Sequence, residues 1–205
     1  QFALAFHAAG GEIVDVIALA LGFIPQPIAV LAADGLLHLG AKLLQALGIA
    51  TSDSTVSAGA DLLQLFDTWA GSLPEDQFHQ WVTKPTAAIV KEIRLRHPGI
   101  PIIGYPRGAG VLSYPFVEAT GVDGVSCDTS MPLDQIRKGL SGRTVVQGNL
   151  DPLLLVAGGA ALDARIDAIC EALRPNPFIF NLGHGIVPET PPEHVGQLVS
   201  RLRRR

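Results

Sequence analysis

Cysteine, charge and clean hydrophobic runs are all in short supply in this 205-residue chain. Cys127 and Cys170 are the only cysteines. Two are too few for a disulfide framework, so a reduced, cytoplasmic protein is the expectation. Charged residues make up 17% of the chain and the net charge is −4. That balance gives no general reason to expect nucleic acid or an anionic membrane as a partner. The longest apolar stretch, Ile13–Ala33, is broken by Asp15, Pro25 and Pro27 and has no flanking Lys or Arg. A membrane-spanning helix wants about 20 clean apolar residues, so no span is expected. No basic n-region marks a signal peptide. The chain begins at Gln1 rather than Met, and a missing natural start is the expectation. The nucleophile elbow G-x-S-x-G, the Walker loop and the G-x-G-x-x-G fingerprint are absent. Hydrophobic residues, by contrast, reach 48%. There is ample material for a buried core, in one large domain or two small ones, and little room for general disorder.

The composition changes near residue 56. Residues 1–56 hold one basic residue, Lys42, against four acidic ones, Glu12, Asp15, Asp34 and Asp53. They carry possible helices at Glu12–Leu21 and Asp34–Leu47 and no readable motif. From residue 57 the pattern is regular. Apolar runs at Asp61–Phe66, Ile100–Tyr105, Gly124–Cys127, Thr144–Gln147 and Phe178–Leu182 read as strands. Helical patterns lie between them, at Val111–Ala119, Pro132–Leu140 and Ala161–Leu173. Leu162, Ile166, Ile169 and Leu173 fall at i, i+4, i+7 and i+11, the spacing of a core-facing helix stripe. Ser72-Leu73-Pro74-Glu75 and Thr190-Pro191-Pro192-Glu193 fit capping boxes, the second with proline at the first helical position. The helix after Ser72 is expected to break at Lys84-Pro85 and resume through Ile93.

Strand, loop and helix repeating with short connections predict parallel βα units. About five are recognisable. A (β/α)8 TIM-type barrel needs eight, at about 30 residues each. The expected fold is therefore α/β, either an incomplete barrel of this type over 57–205 or a smaller open sheet. An exposed apolar edge where barrel strands are missing makes aggregation or dimerisation, as a homodimer, the expectation.

Polar groups cluster just after the strands: Asp67 and Thr68, Arg107, Asp128, Asn149 and Asp151, and His184. In a barrel these ends form one rim, where the chemistry sits. His184 is held between Gly183 and Gly185, and glycine lets a ligand approach the backbone closely. It either meets a ligand or hydrogen-bonds its own loop. No second His or Cys lies at metal-ligand spacing, so no metal is expected there. Arg107, between Pro106 and Gly108, suits a carboxylate or phosphate, or else a surface ion pair. Thr68 either offers its hydroxyl to a ligand or satisfies the turn. Asp128 and Asp151 read first as helix N-caps. Trp69 and Phe66 read as core, and Arg201 and Arg203–Arg205 as a solvated helix end complementing the dipole.

Three ordered blocks give a sharper reading. Phe180-Asn181-Leu182-Gly183-His184-Gly185-Ile186, followed by Pro188, Thr190-Pro191 and Glu193-His194-Val195, resembles the C-terminal signature of the uroporphyrinogen decarboxylase family. Ala58-Gly59-Ala60-Asp61 with Leu65-Phe66-Asp67-Thr68-Trp69-Ala70-Gly71 resembles a second family block. Gln147-Gly148-Asn149-Leu150-Asp151-Pro152 resembles a third. The resemblance covers residues 57–205, the C-terminal half of the family barrel. It implies a cofactor-free carboxy-lyase of haem biosynthesis acting on a small-molecule substrate. Such an enzyme converts the four acetate side chains of uroporphyrinogen III to the methyls of coproporphyrinogen III. By motif position Thr68 and His184 match substrate-binding residues of the family. Arg107 joins them from its strand-end position. No catalytic residue is assigned.

The departures are as informative. The family's N-terminal arginine-rich motif, its pyrrole-binding aspartate and the tyrosine expected upstream of Thr68 have no counterpart in residues 1–56. A frameshifted or replaced reading of that segment is one expectation, and an inactive isolated chain, a non-catalytic half-barrel, is another. A corrinoid-linked methyltransferase of the same superfamily would need His-x-Cys after a strand. Tyr105-Pro106-Arg107 stands at the matching place.

Overall fold

The computed structural model describes residue 49 and residues 52–204. The helices expected at Glu12–Leu21 and Asp34–Leu47, and the apolar stretch Ile13–Ala33, lie outside the described residues. Five strands, β1 (Leu63–Asp67), β2 (Ile102–Pro106), β3 (Gly124–Ser126), β4 (Val145–Leu150) and β5 (Phe178–Leu182), form a sheet in the order β1-β2-β3-β4-β5. Sequential order, parallel pairing and helices between the strands make this the α/β arrangement of a partial TIM-type barrel. Among the described residues, no helix is long and apolar enough to cross a membrane.

The described chain forms two compact units, one ending at Gly124 and one beginning at Val125. In the first, β1 pairs with β2 from Leu63↔Ile102 to Asp67↔Pro106. Leu63, Ile102 and Gly104 share one face, because strand side chains alternate. A Cβ on Gly104 would lie 2.7 Å from the Phe116 ring, so the ring occupies the space a side chain would need. Phe116 stands on α3 (Ser113–Thr120) and meets Phe78 edge to face, with centroids 6.2 Å apart. On the other face Phe66 meets Tyr105 in the same way, at 5.9 Å.

The expected helix break at Lys84-Pro85 is instead an adjustment. Helix α1 (Glu75–Phe78) passes through one π-helical turn (His79–Thr83) into α2 (Lys84–Arg96). Pro85 falls in the first turn of α2, where a missing N–H is tolerated, and the wider turn before it absorbs the misfit. Neither capping box forms. The Ser72 hydroxyl donates to Trp69 O at 2.6 Å and lies too early to cap α1. Thr190 sits one residue before the N-cap of α7 (Pro192–Arg203), its hydroxyl buried without a hydrogen-bond partner. Pro74, Pro132 and Pro191 are the N-cap residues of α1, α4 (Leu133–Gly139) and α7, all with extended backbone. Proline fixes φ, and Glu75 and Asp76, Asp134 and Glu193 then complement the helix dipole in each first turn.

In the second unit β4 pairs with β5 from Val146↔Phe178 to Leu150↔Leu182. Strand β4 continues to Leu150, so Gly148, Asn149 and Leu150 belong to the strand rather than to the turn after it. A short helix absent from the sequence reading, α5 (Pro152–Ala157), follows immediately. The stripe on α6 (Gly159–Leu173) behaves as its spacing predicts, with Leu162, Ile166, Ile169 and Leu173 all buried. Helix α6 packs on β4, α4 and α7. Arg201 is not a solvated end: its guanidinium grips Asp167 through Nε at 2.9 Å and Nη2 at 2.5 Å, tying α7 to α6. His194 Nδ1 lies 2.9 Å from Leu155 O, and its ring fills the space beside Gly158 at the end of α5.

Candidate active-site turns

Each polar residue singled out above follows or closes a strand, except Asn149, which lies one residue inside the end of β4. In the first unit Asp67 and Pro106 are paired neighbours ending β1 and β2. Thr68 and Arg107 are the next residues, so the sheet register itself brings them to adjacent turns. The ladder continues past the strands. The Arg107 N–H donates to Asp67 O at 3.0 Å, and the Gly71 N–H donates to Arg107 O at 2.8 Å. Gly71 and Gly108 pack backbone to backbone; a Cβ on Gly71 would lie 2.2 Å from Gly108 C and O. The two turns are therefore clasped, with Thr68 exposed and Arg107 half-exposed.

The Asp67 carboxylate organises the same turn. Oδ1 accepts the Trp69 N–H at 3.1 Å, closing the chain around Thr68. Burial holds the Asp67 carboxyl above the usual aspartate range, against the opposing effect of backbone N–H groups of Trp69 and Ala70. Trp69 is not core: it is 59% exposed, while Ala70 beside it is fully buried. The turn spends its small residue inside and leaves the indole on the surface.

In the second unit His184 is exposed and lies just after β5. The Gly183 N–H donates to Leu150 O at 2.7 Å, which anchors the turn to the end of β4. Gly183 does not leave room for a ligand, as the sequence suggested. A Cβ there would stand 2.6 Å from Thr129 N and 2.8 Å from Thr129 Cγ2, so the protein's own 128–131 turn occupies that space. Asp128 does not cap a helix. Its Oδ1 accepts the Ser130 N–H at 2.8 Å and the Ser130 hydroxyl at 2.5 Å, shaping that turn. Asp151 does cap α5, accepting the Leu153 N–H at 2.9 Å.

Both thiols are buried, and burial pushes Cys127 up to about 12, with Asp128 adding to the rise. Cys127 is therefore not a nucleophile at neutral pH. Among the described residues, no group of three or more His, Cys, Asp or Glu is placed to hold a metal ion. The sequence singled out Asn149 only as a residue of the turn after a strand and gave Gly71 and Gly108 no contact to make. The available signal was a glycine in each of the turns following β1 and β2, on either side of Thr68 and Arg107.

Parallel βα units whose polar residues gather at strand ends define an α/β protein of the TIM-barrel class. The uroporphyrinogen decarboxylase (URO-D) family model matches residues 36–205, and the chain belongs to that family. The match begins upstream of the composition change near residue 56. The uroporphyrinogen decarboxylase of Rhodospirillum rubrum is 49% identical over 166 residues, covering 80% of this chain and 48% of its own. That of Acidiphilium cryptum is 51% identical over 148 residues, covering 72% and 41%. The chain thus spans about half the length, or less, of these curated relatives. Among solved structures, a methyltransferase from Methanosarcina mazei aligns with a TM-score of 0.62 at 20% identity, over 78% of this chain and 47% of the other. A putative vitamin-B12-independent methionine synthase from Listeria monocytogenes gives 0.56 at 16%, over 80% and 53%. These two likenesses concern the fold alone.

Proposed function

We propose that this chain supplies part of the substrate cleft of a uroporphyrinogen decarboxylase, with Thr68, Arg107 and His184 as substrate-binding groups. The observation that carries the proposal is the family match over residues 36–205, which include the turns that present these residues. In the reaction each acetate hangs from an electron-rich pyrrole. Protonation of the ring carbon creates an electron sink. The C–CO₂ bond then breaks, its electron pair flows toward the ring, and CO₂ leaves. A proton added at the exocyclic carbon and one lost from the ring give the methyl group. Each acetate therefore takes up one proton net and releases one CO₂, and four rounds give coproporphyrinogen III. No redox change occurs, so the scheme calls on no cofactor.

The eight carboxylates of the substrate call for cationic and hydrogen-bonding groups. Arg107 offers a planar fork of donors, suited to a carboxylate. Thr68 offers a hydroxyl, and His184 an exposed imidazole. Two buried thiols support a reducing, cytoplasmic setting. The apolar edge expected where barrel strands are missing supports a homodimer, and the net charge of −4 supports a partner other than nucleic acid.

The test is anaerobic incubation of the purified chain with uroporphyrinogen III, followed by separation of the products. The arginine-rich motif and the aspartate that the resemblance implies are not in this chain. The expected result is therefore no coproporphyrinogen from the chain alone, and turnover once the N-terminal half of the Rhodospirillum rubrum relative is supplied. Failure both to turn over in that mixture and to bind uroporphyrin III would sink the proposal.

A further inference from the structure

We propose that Asn149 is a positioning residue for His184, acting through the 128–131 turn. The inference rests on the reading of His184 as a substrate contact. Asn149 lies in β4 and is 1% exposed. A buried carboxamide must place both N–H bonds, and Asn149 places both on one turn. Nδ2 donates to Asp128 O at 3.1 Å and to Met131 O at 2.8 Å. The two carbonyls fix which end of the amide faces the turn. Oδ1 lies 3.5 Å from Arg165 Nη2 on α6. The turn so held is the surface on which Gly183 rests, with Thr129 N, Thr129 Cγ2 and Asp128 C all within 3.0 Å of where a Cβ would be. Gly183 is bound on its other side by Leu150 O, one residue beyond Asn149. The backbone immediately before His184 is thus gripped between the end of β4 and a turn that Asn149 fastens to β4. This grip fixes the backbone from which the His184 side chain starts.

Asn149→Asp is the discriminating change. It keeps the shape and replaces two donors with an oxygen that faces two carbonyl oxygens, which forces the turn away. Gly183→Ala attacks the same contact from the other side and serves where Asn149→Asp does not fold. Leu153→Ala, at an exposed site on α5, is the control. Two readouts are needed: uroporphyrin III affinity by absorbance titration, and the His184 ring resonances by NMR, assigned with His184→Ala. His184→Ala is expected to weaken binding roughly tenfold, the loss of about one hydrogen bond to a charged group. Asn149→Asp is expected to match that loss, to add nothing in the His184→Ala background, and to shift the His184 resonances as Leu153→Ala does not. Additive losses, or His184 resonances unmoved by both Asn149→Asp and Gly183→Ala, would overturn the proposal. If the unaltered chain does not bind uroporphyrin III, turnover in the reconstituted mixture decides the functional reading, and the resonances alone decide the positioning role.

Discussion

Replacing Gly71 with alanine tests the clasp between the turns that carry Thr68 and Arg107. The added Cβ would stand 2.2 Å from Gly108 C and O and 2.5 Å from Gly108 Cα. That is more than 1 Å inside the ~3.5 Å at which carbons attract. The obstacle is backbone, so no rotamer change relieves it, and the turns must separate. Separation stretches the Gly71 N–H to Arg107 O bond and threatens the Arg107 N–H to Asp67 O bond beneath it. One or two hydrogen bonds at about 1 kcal/mol each, with about 1–3 kcal/mol of overpacking, give a loss of roughly 2–5 kcal/mol. For a chain of this size that lowers the melting temperature by roughly 10 °C. Gly121→Ala is the internal reference. Gly121 has φ +66° but open space around its missing side chain, so alanine there meets only the left-handed backbone cost of about 1–2 kcal/mol. Asparagine at 121 should recover part of it, whereas asparagine at 71 should be worse than alanine. Urea and thermal unfolding followed by circular dichroism measure all four variants. A Gly71→Ala chain no less stable than Gly121→Ala would refute the clasp as a rigid contact.

Two carboxylates should move stability in opposite directions with pH. Asp67 is held above its ordinary value of 3.8, chiefly by burial. Its contribution relative to Asp67→Asn is therefore full below 3.8 and is lost as pH rises through the raised folded value. Asp53 is held below 3.8, chiefly by its hydrogen bond with His97 and further by Arg96, so its advantage over Asp53→Asn is present above 3.8 and is lost as pH falls through the lowered value. Unfolding curves across acidic to neutral pH check both signs. Cys127 and Cys170 should resist an aromatic disulfide reagent in the native chain and react on unfolding; rapid native labelling would contradict the burial of both. Arg201→Ala should lower the unfolding midpoint only modestly, because the bidentate pair with Asp167 is a quarter to a third exposed, and the difference should shrink in high salt.

What the sequence made legible follows from periodicity and punctuation. All five strands were visible because each is a short apolar run bounded by turn residues, and the α6 stripe because four buried residues repeat at helical spacing. The errors sit where a local pattern has two physical outcomes. Ser72 and Thr190 precede helices with Glu three residues on, yet a following proline becomes the N-cap and leaves each hydroxyl outside the helix. Trp69 looked like core by side-chain type, but Ala70 took the inward position. Asn149 was read as a turn residue because Gly148 resembled a stop, while β4 carries on through both. Arg201 met its partner from a helix more than thirty residues earlier, a pairing no local window contains. The three substrate-binding candidates were legible as strand-end polar residues. The contacts that hold their backbones were not, because they join turns distant in sequence.

Those contacts change what the rim glycines are for. A glycine beside a polar residue at a strand end invites the reading that a ligand approaches the backbone there. At Gly71 and Gly183 the space is already taken, by Gly108 and by the Asp128-Thr129 peptide. These glycines let one turn lie against another, so that Thr68, Arg107 and His184 spring from backbone that is braced rather than free. Affinity and stability should then separate by residue type. Under the proposed reading, truncating Thr68 or His184, both exposed, should cost ligand affinity more than stability. Enlarging Gly71 or Gly183 disturbs the packing and moves the ligand contact with it. A substitution at either glycine that weakened ligand binding without lowering the unfolding midpoint would mean that the glycine faces the ligand after all, and that the brace runs elsewhere.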